Sequence, residues 1–191
     1  MYYFWKLYFK LTGWKFRGPF PQQLPKLVLA VGPHTSWYDF IVGLAARKLV
    51  KAGPIHFLAK KELFDGPFGW LFRALGGTGV DRFSSKGMVD QVAELFRKNE
   101  KFKIALAPEG TRKKVDKLRS GFYHIAEKAG VPIVLVGLDY KHKEVCFSDP
   151  VYPAKEETDM KTILGFFAGM AGKYPEKGLG HLVNGVDGTE N

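Results

Sequence analysis

Four apolar bursts constrain this chain more than any other feature: LVLAVG at 27–32, IHFLA at 55–59, KIALA at 103–107 and PIVLVGL at 132–138. Each is strand-sized and reads as a strand buried on both faces. VCF at 145–147 is a candidate for a fifth. Between the bursts, 37–51, 67–75, 85–98 and 120–129 are predicted helical. In the third of these, Met88, Val89, Val92, Leu95 and Phe96 recur at helical spacing and form one apolar face. Strands alternating with amphipathic helices specify an α/β domain with a mainly parallel sheet flanked by helices. In such sheets, sites collect where strands end and helices begin.

At 191 residues the chain is expected to be a single domain with a real core. The single cysteine, Cys146, allows no intrachain disulfide framework or cysteine metal site, and it points to a reducing compartment. The formal charge of +10 draws in something acidic: nucleic acid, anionic lipid, or an acidic carrier or phosphorylated substrate. No apolar run approaches the roughly 18 residues that span a bilayer. The first residues, MYYFWKLYFKLTGWKF, mix aromatic rings with Lys6 and Lys10. They lack the apolar centre and cleavage site of a signal peptide. Two readings stay open: a short interfacial helix over 1–16, or a helix packing its rings on the domain's own core. RGPFPQQLPK at 17–26, with three prolines, reads as a linker into a domain over 27–191.

Three motifs fall at predicted strand ends. The first is GPHTSWYDF at 32–40. Ser36-x-x-Asp39 reads as a helix capping box. The same spacing also allows Asp39 to hold one nitrogen of His34 and leave the other free as a general base. The second, GGTGVDR at 76–82, ends in Arg82. It is neither a dinucleotide fingerprint nor a nucleotide-binding loop, and reads as a glycine-rich turn or as a phosphate contact. The third, PEGTR at 108–112, places Glu109, Gly110, Thr111 and Arg112 directly after a strand, a ready anion or polyol site. Lys113, Lys114, Lys117 and Arg119 add positive charge beyond it. Nothing matches a nucleic-acid motif, so no nucleic acid is expected as a partner.

Taken in order, these blocks resemble the glycerolipid acyltransferases of the 1-acylglycerol-3-phosphate O-acyltransferase type. The resemblance runs over about residues 27–140 and rests on His34-x-x-x-x-Asp39, on AKKELF and GPFGWLFRALGG, on the block ending in Arg82, on Pro108 to Arg112, and on VPIVLV at 131–136. It implies a glycerol-phosphate-acyltransferase-like fold and direct transfer of an acyl group from acyl-CoA or acyl-carrier protein to a lysophospholipid hydroxyl. Neither a metal nor a bound cofactor is implied. By the same resemblance, His34 is the base and Asp39 its orienting partner. Arg82 and Glu109, Gly110, Thr111 and Arg112 hold the acceptor, Lys60 or Lys61 assists, and Pro132 lies by the acyl-chain pocket. Gly79, Lys113 and Leu135 depart from the usual pattern around the presumed acceptor site, which leaves a different lysolipid, such as an amino-acid-containing one, as an alternative. A peripheral enzyme on the cytoplasmic face of an anionic membrane is the expected setting. A non-catalytic lipid-binding module and a thioesterase are the competing functions.

Overall fold

The computed structural model describes residues 1–60, 65–67, 69–80 and 87–183, with the side chains of Ala59, Lys60, Phe72 and Val80 outside the description. Among these residues one seven-stranded sheet forms, ordered β1-β7-β6-β2-β5-β3-β4. Its strands are β1 (Lys15–Arg17), β2 (Lys26–Gly32), β3 (His56–Lys60), β4 (Gly77–Val80), β5 (Phe102–Leu106), β6 (Ile133–Asp139) and β7 (Glu144–Phe147). Neighbours run parallel except β6 and β7, which form an antiparallel hairpin. The sheet is mainly parallel, and all five expected strands are present.

Helices cover both faces, so the central strands carry apolar side chains both ways. On β2, Val28 and Ala30 join the cluster under helices α4 (Met88–Lys98) and α5 (Gly121–Ala129). Leu27 and Leu29 join the opposite cluster under α2 (Tyr38–Leu49). A short α3 (Gly69–Ala74) precedes β4. The last long helix, α6 (Glu156–Ala168), adds Ile163 and Phe167 to the first cluster.

The aromatic segment forms a helix, α1 (Tyr2–Thr12), whose two faces differ. Phe9 is buried and Trp5 and Tyr8 are half-buried against the α2 side, while Tyr3, Phe4, Leu7 and Leu11 are exposed. Gly13 caps the helix in the left-handed region, which is cheapest for glycine. The buried Trp14 and strand β1 follow. Residues 13–17 therefore belong to the folded core and sheet, not to a helix or linker. Among the described residues no helix is long and apolar enough to cross a membrane.

Candidate active site

Strand β2 ends at Gly32, and a cis Gly32–Pro33 peptide delivers His34 ahead of α2. The loop curls back on the first turn of that helix. His34 Nδ1 lies 3.0 Å from Asp39 Oδ2. The backbone N–H groups of Thr35 and Ser36 donate to the same oxygen at 2.8 and 2.9 Å. Tyr38 N–H donates to Ser36 Oγ. The helix-start and dyad readings are thus one structure: the carboxylate that anchors the turn also holds the imidazole. The assigned helix begins one residue later than a Ser36 cap implies, with Trp37 at the N-cap position. Asp39 is only 4% exposed. A carboxylate only accepts, so in a neutral ring paired with it Nδ1 is the donor and Nε2 keeps the lone pair.

His34 and Asp39 line a cavity of about 1310 Å³. Its polar lining includes Thr111, Arg112 and Arg119, contributed by the loop after β5 and the approach to α5. Its apolar lining includes Leu29, Val136, Leu138, Val145 and Phe147, all from the cluster on the sheet face under α2. Gly110 must be glycine here. Its φ is +63°, and a Cβ would meet Arg119 Cδ and Nε at 2.9 Å. The Arg119 side chain crosses over this gap, and its backbone N–H donates to Pro108 carbonyl at 2.8 Å. Thr111 Oγ1 accepts from Lys113 N–H, closing a local turn.

Glu109 departs from the acceptor-binding role that the resemblance implies. It is 2% exposed and turns inward, where Oε1 accepts the His34 backbone N–H at 2.7 Å. Oε2 has no hydrogen-bond partner among the described residues. Burial raises its pKa, against the opposing pull of the His34 and Glu109 backbone N–H groups. Its role is to hold the His34 loop. Pro132 also stands apart. It precedes the first residue of β6, where its carbonyl accepts Val28 N–H, whereas β6 reaches the cavity through Val136 and Leu138 further along. Leu135 faces the other cluster and belongs to the core. Arg82, Lys61 and the Lys60 side chain lie outside the described residues.

One close partner of the dyad carries no sequence signal. Tyr140, at the start of the β6–β7 turn, donates its hydroxyl to Asp39 Oδ1 at 2.6 Å. Their separation of 101 residues exceeds any local pattern. Burial, then the bond to Asp39, pushes the phenol well above its ordinary pKa. Arg47 and His56 also line the cavity. Arg47 donates to the Ile55 and Leu75 carbonyls, and burial followed by Arg47 lowers the His56 pKa, which favours a neutral ring. Among the described residues no three His, Cys, Asp or Glu side chains gather as a metal site.

A model of the acyltransferase family matches residues 16–139, more than half of the chain. No curated protein matches it in sequence. Among solved structures the chain is similar to the 1-acyl-sn-glycerophosphate (LPA) acyltransferase PlsC from Thermotoga maritima, with 20% identity and a TM-score of 0.52. That likeness covers 100% of this chain and 79% of the other.

Proposed function

Because the chain belongs to the acyltransferase family, we propose that it moves a fatty acyl group from a thioester, acyl-CoA or acyl-carrier protein, to the hydroxyl of a lysophospholipid such as 1-acylglycerol-3-phosphate. One observation carries this reading. His34 and Asp39, paired at 3.0 Å, line a single cavity together with Arg112, Arg119 and many apolar side chains.

The acceptor hydroxyl gives its proton to His34 Nε2 as its oxygen attacks the thioester carbonyl. Asp39 stabilises the imidazolium that forms. The tetrahedral intermediate collapses, the C–S bond breaks, and the departing thiolate takes the proton from His34. General-base help of this kind is worth roughly 10²–10⁴ in rate. Arg112 and Arg119 suit an acceptor phosphate, because guanidinium groups bind such oxygens two at a time. The apolar lining suits the acyl chain, with each buried methylene contributing about 0.8 kcal/mol.

The exposed stripe Tyr3, Phe4, Leu7 and Leu11, flanked by Lys6 and Lys10, supports work at an anionic bilayer surface. Helix α1 packs beside α2, whose N-cap Trp37 and first-turn Tyr38 and Phe40 are exposed. Deleting residues 1–16 would remove the core residues Phe9 and Trp14 as well, so serine substitutions at the four exposed positions are the cleaner test of vesicle binding.

The deciding assay is thiol release from a long-chain acyl-CoA in anionic vesicles, with and without lysophosphatidate, for the natural protein and His34→Ala. Release that requires both the acceptor and His34 is the expected result. Release that ignores the acceptor means a hydrolase, and full activity in His34→Ala removes the dyad from the mechanism.

A further inference from the structure

Asp39 is held from two directions. Oδ2 takes three donors from the segment just before it: the His34 ring and the Thr35 and Ser36 amides. Oδ1 takes the Tyr140 hydroxyl at 2.6 Å. The three local donors fix the turn whether or not Tyr140 is present. Tyr140 fixes the other end of the carboxylate, and with it the rotation of that group about its own axis. Tyr140 is itself clamped. Its backbone N–H donates to Ala171 carbonyl at 2.8 Å. The Trp14 ring meets its ring edge to face at 5.0 Å and 85°. The Lys143 ammonium lies 5.7 Å from the Trp14 ring and 5.8 Å from the Tyr140 ring. Trp14 in turn is tied to α1 through its N–H to Phe9 carbonyl, and the next residue's N–H bonds Lys143 carbonyl.

We propose that Tyr140 is a positioning residue of the transfer reaction: its hydroxyl sets how Asp39 meets the His34 ring, and through Trp14 it joins that setting to the seat of helix α1. The role rests on the acyl-transfer reading of the His34 site. A phenol donating to a buried carboxylate draws negative charge toward itself and away from the imidazole. Removing the hydroxyl leaves Oδ1 buried without that donor and concentrates charge on the side that faces His34. The imidazolium is then favoured, and the neutral base is populated only at higher pH. The Trp14 contact carries the consequence outward, because an α1 shifted on its lipid seat moves the ring against which Tyr140 rests.

The test is Tyr140→Phe in the full chain, assayed for thiol release with lysophosphatidate in anionic vesicles from pH 5 to 9. The ring and its packing on Trp14 are retained, so thermal unfolding is expected to shift little. Turnover is expected to fall about tenfold with both KM values within about twofold. The rising acid limb of kcat/KM moves up by about half a pH unit. The other ionisable groups around the dyad are Glu109, Tyr8 beside Tyr140, and Arg112 and Arg119 in the cavity. Arg47 and His56 in the cavity, Lys143 over the Tyr140 ring, and Tyr38 with Lys173, whose ammonium lies 3.1 Å from the Tyr38 ring centroid, stand near them. Tyr140→Phe changes none of them, so a moved limb reports the lost hydroxyl. Placing 3-fluorotyrosine at position 140 strengthens the donor and moves the limb the opposite way. Lower thermal stability with unchanged kcat, KM and acid limb would overturn the proposal and leave Tyr140 a packing residue. An NMR titration of the His34 ring, assigned by its loss in His34→Ala, reads the same shift without turnover. If the natural protein transfers no acyl group, the acyl-transfer reading fails, while an unmoved titration in Tyr140→Phe sinks the positioning role.

Discussion

Among the described residues two histidine–aspartate pairs are of nearly the same make, and the first of them lines the large cavity. In the first, His34 Nδ1 meets Asp39 Oδ2 at 3.0 Å; in the second, His142 Nδ1 meets Asp139 Oδ2 at 2.6 Å. Both aspartates are buried, and both also accept backbone N–H groups of their own turn, from Thr35 and Ser36 in one case and Lys141 and His142 in the other. Holding an imidazole is therefore something a buried turn aspartate does as a matter of local geometry. The surroundings differ. The His34 side chain is 29% exposed and opens into the cavity at the end of β2. The His142 side chain is 57% exposed on a β-turn between Lys141 and Lys143. What sets the first pair apart is that both its members line a cavity of about 1310 Å³.

The largest expected effect separates the two pairs outright. His34→Ala lowers acyl transfer by roughly 10²–10⁴, and His142→Ala leaves it within about twofold. Equal losses in a thiol-release assay would break the comparison. Next comes the support behind the first pair. Glu109→Ala strips the His34 amide of its acceptor and leaves a void near Gly32, and the expected loss is about 2–3 kcal/mol in denaturant unfolding. An unchanged midpoint would mean that the loop holds its shape without Glu109.

The cavity itself is tested more gently at Gly43. This residue lines the cavity from within α2, and a Cβ there meets nothing within 4 Å. Gly43→Phe is expected to shorten the preferred acyl chain, changing the ratio of long to short acyl-CoA use by about tenfold for every 1.4 kcal/mol of lost apolar contact. Identical chain preference would place the acyl chain elsewhere. The smallest effect belongs to the second pair. Burial raises the Asp139 carboxyl, but the ring and amide of His142 and the amide of Lys141 outweigh it, and the net pKa is lowered. A carboxylate lowered on folding contributes stability above its ordinary range and loses it as pH falls through the folded value. Asp139→Asn is thus expected to cost about 1 kcal/mol near neutrality and progressively less below about pH 4, read by thermal melts across pH.

The local half of this structure was legible in the sequence and the long-range half was not. The apolar bursts at 27–32, 55–59, 103–107 and 132–138 mark strands because a strand buried on both faces leaves no room for polar alternation. The segment 76–80 reads as a glycine-rich turn, yet Gly77–Val80 forms an edge strand paired to β3. Glycine weakens strands on average, and here pairing overrides that preference. Lys15–Arg17 is similar: nothing in Lys-Phe-Arg announces a strand until β7 supplies a partner. Helix α6 also escapes the pattern, since only its second half, ILGFFA, is apolar and Gly165 interrupts it. At the site, His34 and Asp39 are five residues apart and declare themselves. Tyr140 reaches Asp39 only after the sheet has ordered β6 beside β2, and the cavity's apolar lining includes residues of β2, β6 and β7 but not Pro132.

The bond from the His34 amide to Glu109 makes two motifs, 75 positions apart, into one exchangeable part. A chimera that imports the loop carrying His34 from another member of the family imports half a joint, because the carboxylate that closes it arrives on the turn after β5. Grafts that carry both segments together should keep the dyad's pose, and grafts of either alone should fold around a misplaced histidine. The unit of transfer between such enzymes is this pair of loops, although neither is a continuous piece of chain with the other.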